Sequence, residues 1–356
     1  MLSIYTPLKV FHYHEKLYSL PKEKKEILAP IHIRIKPTNR CNHNCRYCAY
    51  RVENLQLGKD MSKNHVIDRE KMSELIKDII EMKVKSVTFS GGGEPLIYPY
   101  LSDSIRKLAD SPIKFSALSN GSNLKGELAH LFANYATWIR ISMDGWDDKS
   151  YCNYRNVRDG EYTLILKNME TFKSLNGKCI LGVSLIIDNE NYDKIYQQVK
   201  RLKELGVDNV KISPCIVSNN GKLNNLFHRD FFDEAKYETQ KAKDGLEDES
   251  FEVYDSYHEL DKKFIKAYTW CPYQQVLSVI GADLNIYTCQ DKAYNMEKGL
   301  IGSIKNMRFK DFWFKDKSNF FKIDPSKDCN HHCVANHKNE LVLNFLNCNP
   351  EHMSFV

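Results

Sequence analysis

No stretch of the sequence approaches about 18 consecutive apolar residues, which excludes a membrane-spanning helix. The amino-terminal stretch is interrupted by Lys9, His12, His14, Glu15 and Lys16 and has no apolar centre, so a secretory signal is not expected. Charge of one sign is also scarce: 51 Lys and Arg stand against 46 Asp and Glu, a net +5 spread along the chain. That excess is too small and too dispersed to predict a nucleic-acid partner, and the aromatic residues do not cluster with basic ones as an RNA-binding face requires. No internal repeat or low-complexity segment appears beyond an alternation of strands and helices. The remaining composition, 42% apolar and 27% charged, is that of a soluble globular protein, and a cytoplasmic location is expected.

Cysteine, by contrast, is abundant, with eleven in 356 residues. In a reducing compartment cysteines serve more often as metal ligands or catalytic groups than as disulfides, and an odd count fits pairing poorly. Cys41, Cys45 and Cys48 cluster near the start, Cys271, Cys289, Cys329 and Cys333 lie in the last quarter, and Cys152, Cys179, Cys215 and Cys348 stand alone. Two metal sites are expected.

Between about Ile31 and Pro214, short apolar runs alternate with helical periodicity. Strands are predicted at 31–38, 86–90, 115–119, 138–142, 180–187 and 209–213. Helices are predicted at 68–83, 100–109, 124–134, 163–175 and 191–205. Such alternation implies parallel strands joined by right-handed crossovers, and six units fall short of a closed eight-stranded barrel. The expected fold class is α/β: a partial (βα)6 TIM-like barrel, with its chemistry at the C-terminal ends of the strands, and a small C-terminal α+β unit built from a β-hairpin and helix. The expected division is an N-terminal extension at 1–30, the barrel core at 31–217, a helical connector at 218–268 with a helix at 229–243, and a cluster-binding unit at 269–356. The hairpin is expected to turn between Gly281 and Asn285.

The first cysteine group reads C-N-H-N-C-R-Y-C and offers three thiolates within eight residues. A closed zinc site or a fully ligated iron–sulfur cube wants four ligands, so three leave a position open, unless His43 completes a zinc site. Ser90-Gly91-Gly92-Gly93-Glu94-Pro95 follows the second predicted strand, where glycines allow close backbone approach and a carboxylate can receive an ammonium group. The C-x-x-x-C-x-x-C spacing, with Tyr47 before the last cysteine, resembles the signature of the radical SAM superfamily, and so does the glycine run ending in Glu94. Ser119-Asn120-Gly121 resembles the family's Thr-Asn-Gly, and Ser142-Met143-Asp144-Gly145 its Ser-x-Asp-Gly.

This resemblance implies a 4Fe–4S cluster on Cys41, Cys45 and Cys48 whose open iron is chelated by S-adenosylmethionine. It also implies contacts to that cofactor from Tyr47, Gly92, Gly93, Glu94, Asn120, Ser142, Asp144 and Arg155, with Arg158 the alternative to Arg155. The implied chemistry is reductive cleavage to a 5′-deoxyadenosyl radical that abstracts a substrate hydrogen atom. The electron donor would be of flavodoxin or ferredoxin type, and the exposed cluster would be oxygen-sensitive.

Cys271, Cys289, Cys329 and Cys333 can close a site around zinc or a fully ligated cube. The segment resembles the twitch or SPASM extension of the same superfamily, which implies an auxiliary 4Fe–4S cluster on these four residues. His331, His332 and His337 are alternative ligands. Relatives with this arrangement oxidise alcohols, and the maturases among them carry an aspartate right after the second cysteine. Here that position is Gln290, with Asp291 next.

The expected activity is oxidation of a small molecule such as a sugar or aminocyclitol. The alternatives are radical epimerisation with Cys215 as hydrogen donor, modification of a ribosomal peptide, or a non-catalytic metal-binding scaffold. A peptide-recognition module is not expected in the residues that precede the first strand.

Overall fold

The computed structural model describes residues 4–20, 27–257, 264–315 and 318–355. Ten strands form one sheet: β1 (His32–Ile35), β2 (Ser86–Phe89), β3 (Lys114–Ser119), β4 (Trp138–Met143), β5 (Ile180–Ile187), β6 (Asn209–Pro214), β7 (Glu252–Asp255), β8 (Leu277–Ile280), β9 (Asn285–Tyr287) and β10 (Leu300–Ser303). Their order is β10-β9-β8-β1-β2-β3-β4-β5-β6-β7, so β7 and β10 are free edges and the barrel is partial. Neighbours from β1 to β7 are parallel, β8 joins β1 in parallel, and β9 and β10 add antiparallel.

The five predicted helices are present, at Arg69–Glu81, Leu101–Ala109, Gly126–Tyr135, Glu161–Ser174 and Ile195–Glu204. Asp68 starts the first by accepting a hydrogen bond from the Lys71 amide at 2.7 Å, and Met72, Leu75, Ile76 and Ile79 form its buried stripe. Strand residues alternate as a two-sided sheet requires. Ile33, Ile35, Val87, Phe89, Ile139, Ile141, Val183, Leu185, Val210 and Ile212 share one core with the helices. The opposite, concave face carries His32, Arg34, Thr88, Ser116, Arg140, Ser142, Ser184, Lys211 and Ser213, giving a polar lumen. Tyr5 closes the lower end of that lumen. Its ring stacks on Tyr254 at 4.2 Å, and its hydroxyl donates to Asn209 Oδ1 at 2.8 Å and accepts from Arg140.

Three expectations need correcting, and one helix adds to them. The first strand ends at Ile35 rather than running to Thr38, because Pro37 has no N–H to continue the ladder. The segment expected as a helical connector holds two helices, Gly221–His228 and Phe232–Leu246, but then forms β7, a seventh parallel strand against β6. Residues 258–263 of that segment lie outside the described residues. A further helix, Asp148–Arg155, begins at a capping box between Asp147 and Ser150. Finally, the expected hairpin forms, but β8 pairs with β1 and satisfies that strand's open edge, so the C-terminal strands continue the barrel sheet.

Candidate functional site

The first cysteine group follows β1 at the C-terminal mouth of the barrel. Its backbone is fastened to the helix Asp148–Arg155: the Asn44 amide donates to the Arg155 carbonyl at 2.9 Å and the Arg46 amide to the Tyr154 carbonyl at 3.0 Å. Cys41, Cys45 and Cys48 are free and partly exposed. Burial pushes the Cys41 thiol up to about 11 and also raises Cys45. Arg155 opposes the second shift, donating through Nη1 to Cys45 Sγ at 3.6 Å.

Arg155 is 4% exposed and forms a two-point ion pair with the fully buried Asp144, Nη2 to Oδ2 at 2.8 Å and Nε to Oδ1 at 3.1 Å. Its guanidinium also lies over the rings of Tyr47 and Tyr151, at 5.6 and 5.4 Å. Arg158, the alternative, is exposed. Asp144, expected beside the cofactor, pairs with Arg155 and accepts from the Gly145 amide through Oδ1, while its buried Oδ2 has no hydrogen-bond partner among the described residues.

The glycine run serves the cysteine loop directly. A Cβ on Gly93 would stand 1.8 Å from the Arg40 carbonyl oxygen. Gly92 has φ +110°, and a Cβ there would meet Asn39 Oδ1 at 2.4 Å. Only glycine lets the loop after β2 pass so close to the loop after β1. Glu94 is 3% exposed, and its oxygens accept from the Leu96 amide at 2.9 Å, the Ser119 hydroxyl at 2.7 Å and the Asn120 amide at 2.7 Å. The carboxylate expected to receive an ammonium group therefore also ties the β2 and β3 loops together. Asn120 extends the tie, donating to Asn42 Oδ1 of the cysteine loop at 2.9 Å. Ser142 lies on the concave face of β4, partly exposed.

His43 does not group with the thiols: among the described residues no set of three or more ligand atoms within 4.8 Å of one another includes it. It is 3% exposed, its Nε2 is 3.4 Å from Glu161 Oε1, and its buried Nδ1 has no hydrogen-bond partner there. Desolvation lowers its pKa to about 3. The donor set left on the loop is three thiols, which fits a cube with one open iron.

The C-terminal cysteines converge. Cys271, Cys289, Cys329 and Cys333 line one cavity together with Lys266, Lys292 and His331. Burial raises all four thiols, to about 11 for Cys271. The two lysines are 5% and 1% exposed and are held by main-chain oxygens, Lys266 by His331 and Phe264 and Lys292 by Asp328. Buried cations among four thiols suit a ligand set that becomes anionic.

Of the three alternative histidines, only His331 joins the thiols. Its Nε2 is 3.6 Å from Asp291, and ligand atoms of Asp291, His331 and Cys333 all lie within 4.8 Å of one another. His332 bonds Asn225, and the exposed His337 pairs with Glu340. Cys348 is exposed, outside this cavity.

Cys215 directly follows β6 and is 5% exposed; burial, with Asp188 and Asp144 nearby, raises its pKa to about 12 and keeps it a thiol. Three residues that motif reading passed over also face this region. Lys36 is fully buried and lies over the Tyr50 ring at 4.6 Å, and Arg34 precedes it by two residues. Their signal was present in the alternation of IHIRIKP, where His32, Arg34 and Lys36 fall on one face. Tyr50, two residues beyond Cys48, packs edge-on against the Tyr294 ring at 6.2 Å, and its hydroxyl accepts from Lys36.

Residues 35–202 match the Radical SAM superfamily. An S-adenosylmethionine-dependent nucleotide dehydratase of Flammeovirga pacifica is 28% identical over 104 residues, covering 29% of this chain and 35% of that one. A GTP 3′,8-cyclase of Staphylococcus aureus is 27% identical over 181 residues, covering 49% and 52%. The chain spans about half the length, or less, of the curated relatives it matches. The structure of Streptococcus suis SuiB bound to its precursor peptide SuiA superposes with a TM-score of 0.63 at 17% identity, over 88% of this chain and 71% of SuiB.

Proposed function

With residues 35–202 a radical SAM domain, we propose that this chain is an oxidoreductase that takes a hydrogen atom from a small molecule held in the barrel lumen; Cys271, Cys289, Cys329 and Cys333 would hold an auxiliary cluster able to accept the second electron, and the accompanying proton would leave to solvent. When bound, S-adenosylmethionine and the 4Fe–4S cluster on Cys41, Cys45 and Cys48 supply a 5′-deoxyadenosyl radical at the cost of one electron from a flavodoxin- or ferredoxin-type donor. Arg155 keeps a positive charge beside Cys45, and Asp144 holds that arginine in place. Tyr5 stops the lower end of the lumen against water. Lys266 and Lys292 offset thiolate charge in the second cavity.

The observation that carries this reading is that four thiols line one cavity while Tyr50, two residues beyond Cys48, packs its ring edge-on against Tyr294, five residues beyond Cys289, at 6.2 Å. A substrate beside Tyr50 would lie between a radical source and an electron acceptor. The test is metal and sulfide content on protein reconstituted without oxygen, followed by product analysis. About eight irons per chain and a product two electrons more oxidised are expected. About four irons with one zinc would make the second site structural and remove the acceptor. The mutual closeness of Asp291, His331 and Cys333 gives that zinc outcome a specific geometry.

A second reading, radical epimerisation, is favoured by the protonated Cys215 thiol beyond the end of β6. It requires solvent deuterium in the recovered substrate, lost in Cys215→Ala. Oxidation without such exchange rejects it.

A further inference from the structure

Arg34 and Lys36 lie two residues apart on the lumen side of β1, and neither has a carboxylate within ion-pair distance among the described residues. The Arg34 guanidinium has no hydrogen-bond partner there, and its Nε is buried. The Lys36 ammonium is fully buried, and its one hydrogen bond goes to the Tyr50 hydroxyl. The acid that acts on both across space is Asp291, itself 3.6 Å from His331. Burial lowers the pKa of both cations.

Lower in the lumen, two further cations are held by tyrosines as Lys36 is. Arg140 donates to Tyr5, and Lys211 lies over the Tyr254 ring at 6.0 Å. Unopposed buried charge is destabilising, and proteins keep it where a ligand brings the opposite charge. Arg34 also presents a planar fork suited to two oxygens of one anion.

We propose that the lumen takes a substrate bearing a phosphate or carboxylate group, which pairs with Arg34 and Lys36 beside Tyr50. This rests on the radical SAM reading of the same lumen and narrows its substrate class: a cationic aminocyclitol would be repelled here, and a neutral sugar would leave both charges unopposed. The anion would anchor the substrate beside both cysteine groups, because Lys36 donates to Tyr50, two residues beyond Cys48, whose ring packs against Tyr294 near Cys289 in the chain.

The test is calorimetric titration of the anaerobically reconstituted protein, with S-adenosylmethionine present, using pyrophosphate, malonate and glucose as probes. Pyrophosphate or malonate should bind and glucose should not, with affinity falling as salt rises. Tighter binding of pyrophosphate assigns a phosphate group, and tighter binding of malonate a carboxylate. Lys36→Met and Arg34→Met should each weaken anion binding about tenfold or more, while Lys36→Arg should retain most of it and Arg34→Lys, which keeps the charge but loses the fork, should fall between wild type and Arg34→Met.

Iron content and melting temperature of each variant separate loss of the anion site from loss of the fold. Absence of anion binding to wild type, or binding unchanged in both methionine variants, overturns the proposal. It is equally overturned if Lys36→Met changes only the reduction potential of the second cluster, since that cluster would then be the counter-charge. Cleavage of S-adenosylmethionine by wild type without any probe tests the radical SAM reading separately, so the two can fail independently.

Discussion

The two cysteine groups are built on opposite plans. The first is a short loop whose three thiols are close in sequence, held from outside by its neighbours: the glycine run beneath it, Glu94 and Asn120 beside it, and Arg155 with Asp144 across it. The second draws four thiols from across 63 positions, Cys271 to Cys333, into one cavity with its own buried lysines. An open ligand set on a pinned loop leaves room for a second molecule, whereas a closed set enclosed by side chains suits electron storage or structure. On the proposed reading, a site that supplies a radical and one that receives an electron would differ in just this kind of support.

The largest effect that would break this comparison is expected from Cys45→Ala. It should remove about four irons per chain and abolish formation of 5′-deoxyadenosine, measured by iron assay and chromatography. Cys289→Ala should also cost about four irons but depress 5′-deoxyadenosine formation less than Cys45→Ala does, while eliminating the oxidised product. Equal losses in the two variants would mean that the sites are not functionally separate.

Arg155→Met strands Asp144 in a fully buried position, and removal of one partner from a buried pair costs about 3–5 kcal/mol. Chemical denaturation should read that loss, together with weaker binding of S-adenosylmethionine. Gly93→Ala pushes a methyl group against the Arg40 carbonyl and should cost about 1–3 kcal/mol while lowering iron retention at the first site only.

The smallest effect is in pH. Cys41 and Cys271 have folded-state values raised by burial to about 11 from an ordinary 9.0, so the unfolded chain ionises first. Their contribution to stability is complete below pH 9 and is lost as pH rises from there towards 11. Metal-free protein should thus melt at progressively lower temperature across that window. Protein with both sites loaded should not, because the thiols are then metal-bound rather than free to titrate.

Much of this architecture was legible in the chain. The buried stripe of Met72, Leu75, Ile76 and Ile79 and the strand at 180–187 announce themselves by period, because burial of one face repeats with the geometry of the element. The strand β7 was not legible: Glu-Val-Tyr-Asp is short and mixed in polarity, and only pairing with β6 makes it a strand. The role of Asp144 was also hidden, since nothing local predicts that Arg155 from the next helix takes up both its oxygens.

By itself the sequence determined the three-thiol loop, the glycine run ending in Glu94 and the strand–helix rhythm, because each is a matter of spacing between covalent neighbours. Tertiary structure alone decided that Cys271, Cys289, Cys329 and Cys333 share a cavity, that His331 joins them while His332 and His337 do not, and that Arg34 and Lys36 remain unopposed. Those outcomes depend on which distant groups are brought within a few ångströms and which are kept from water. Burial then sets the strength of every charge among them.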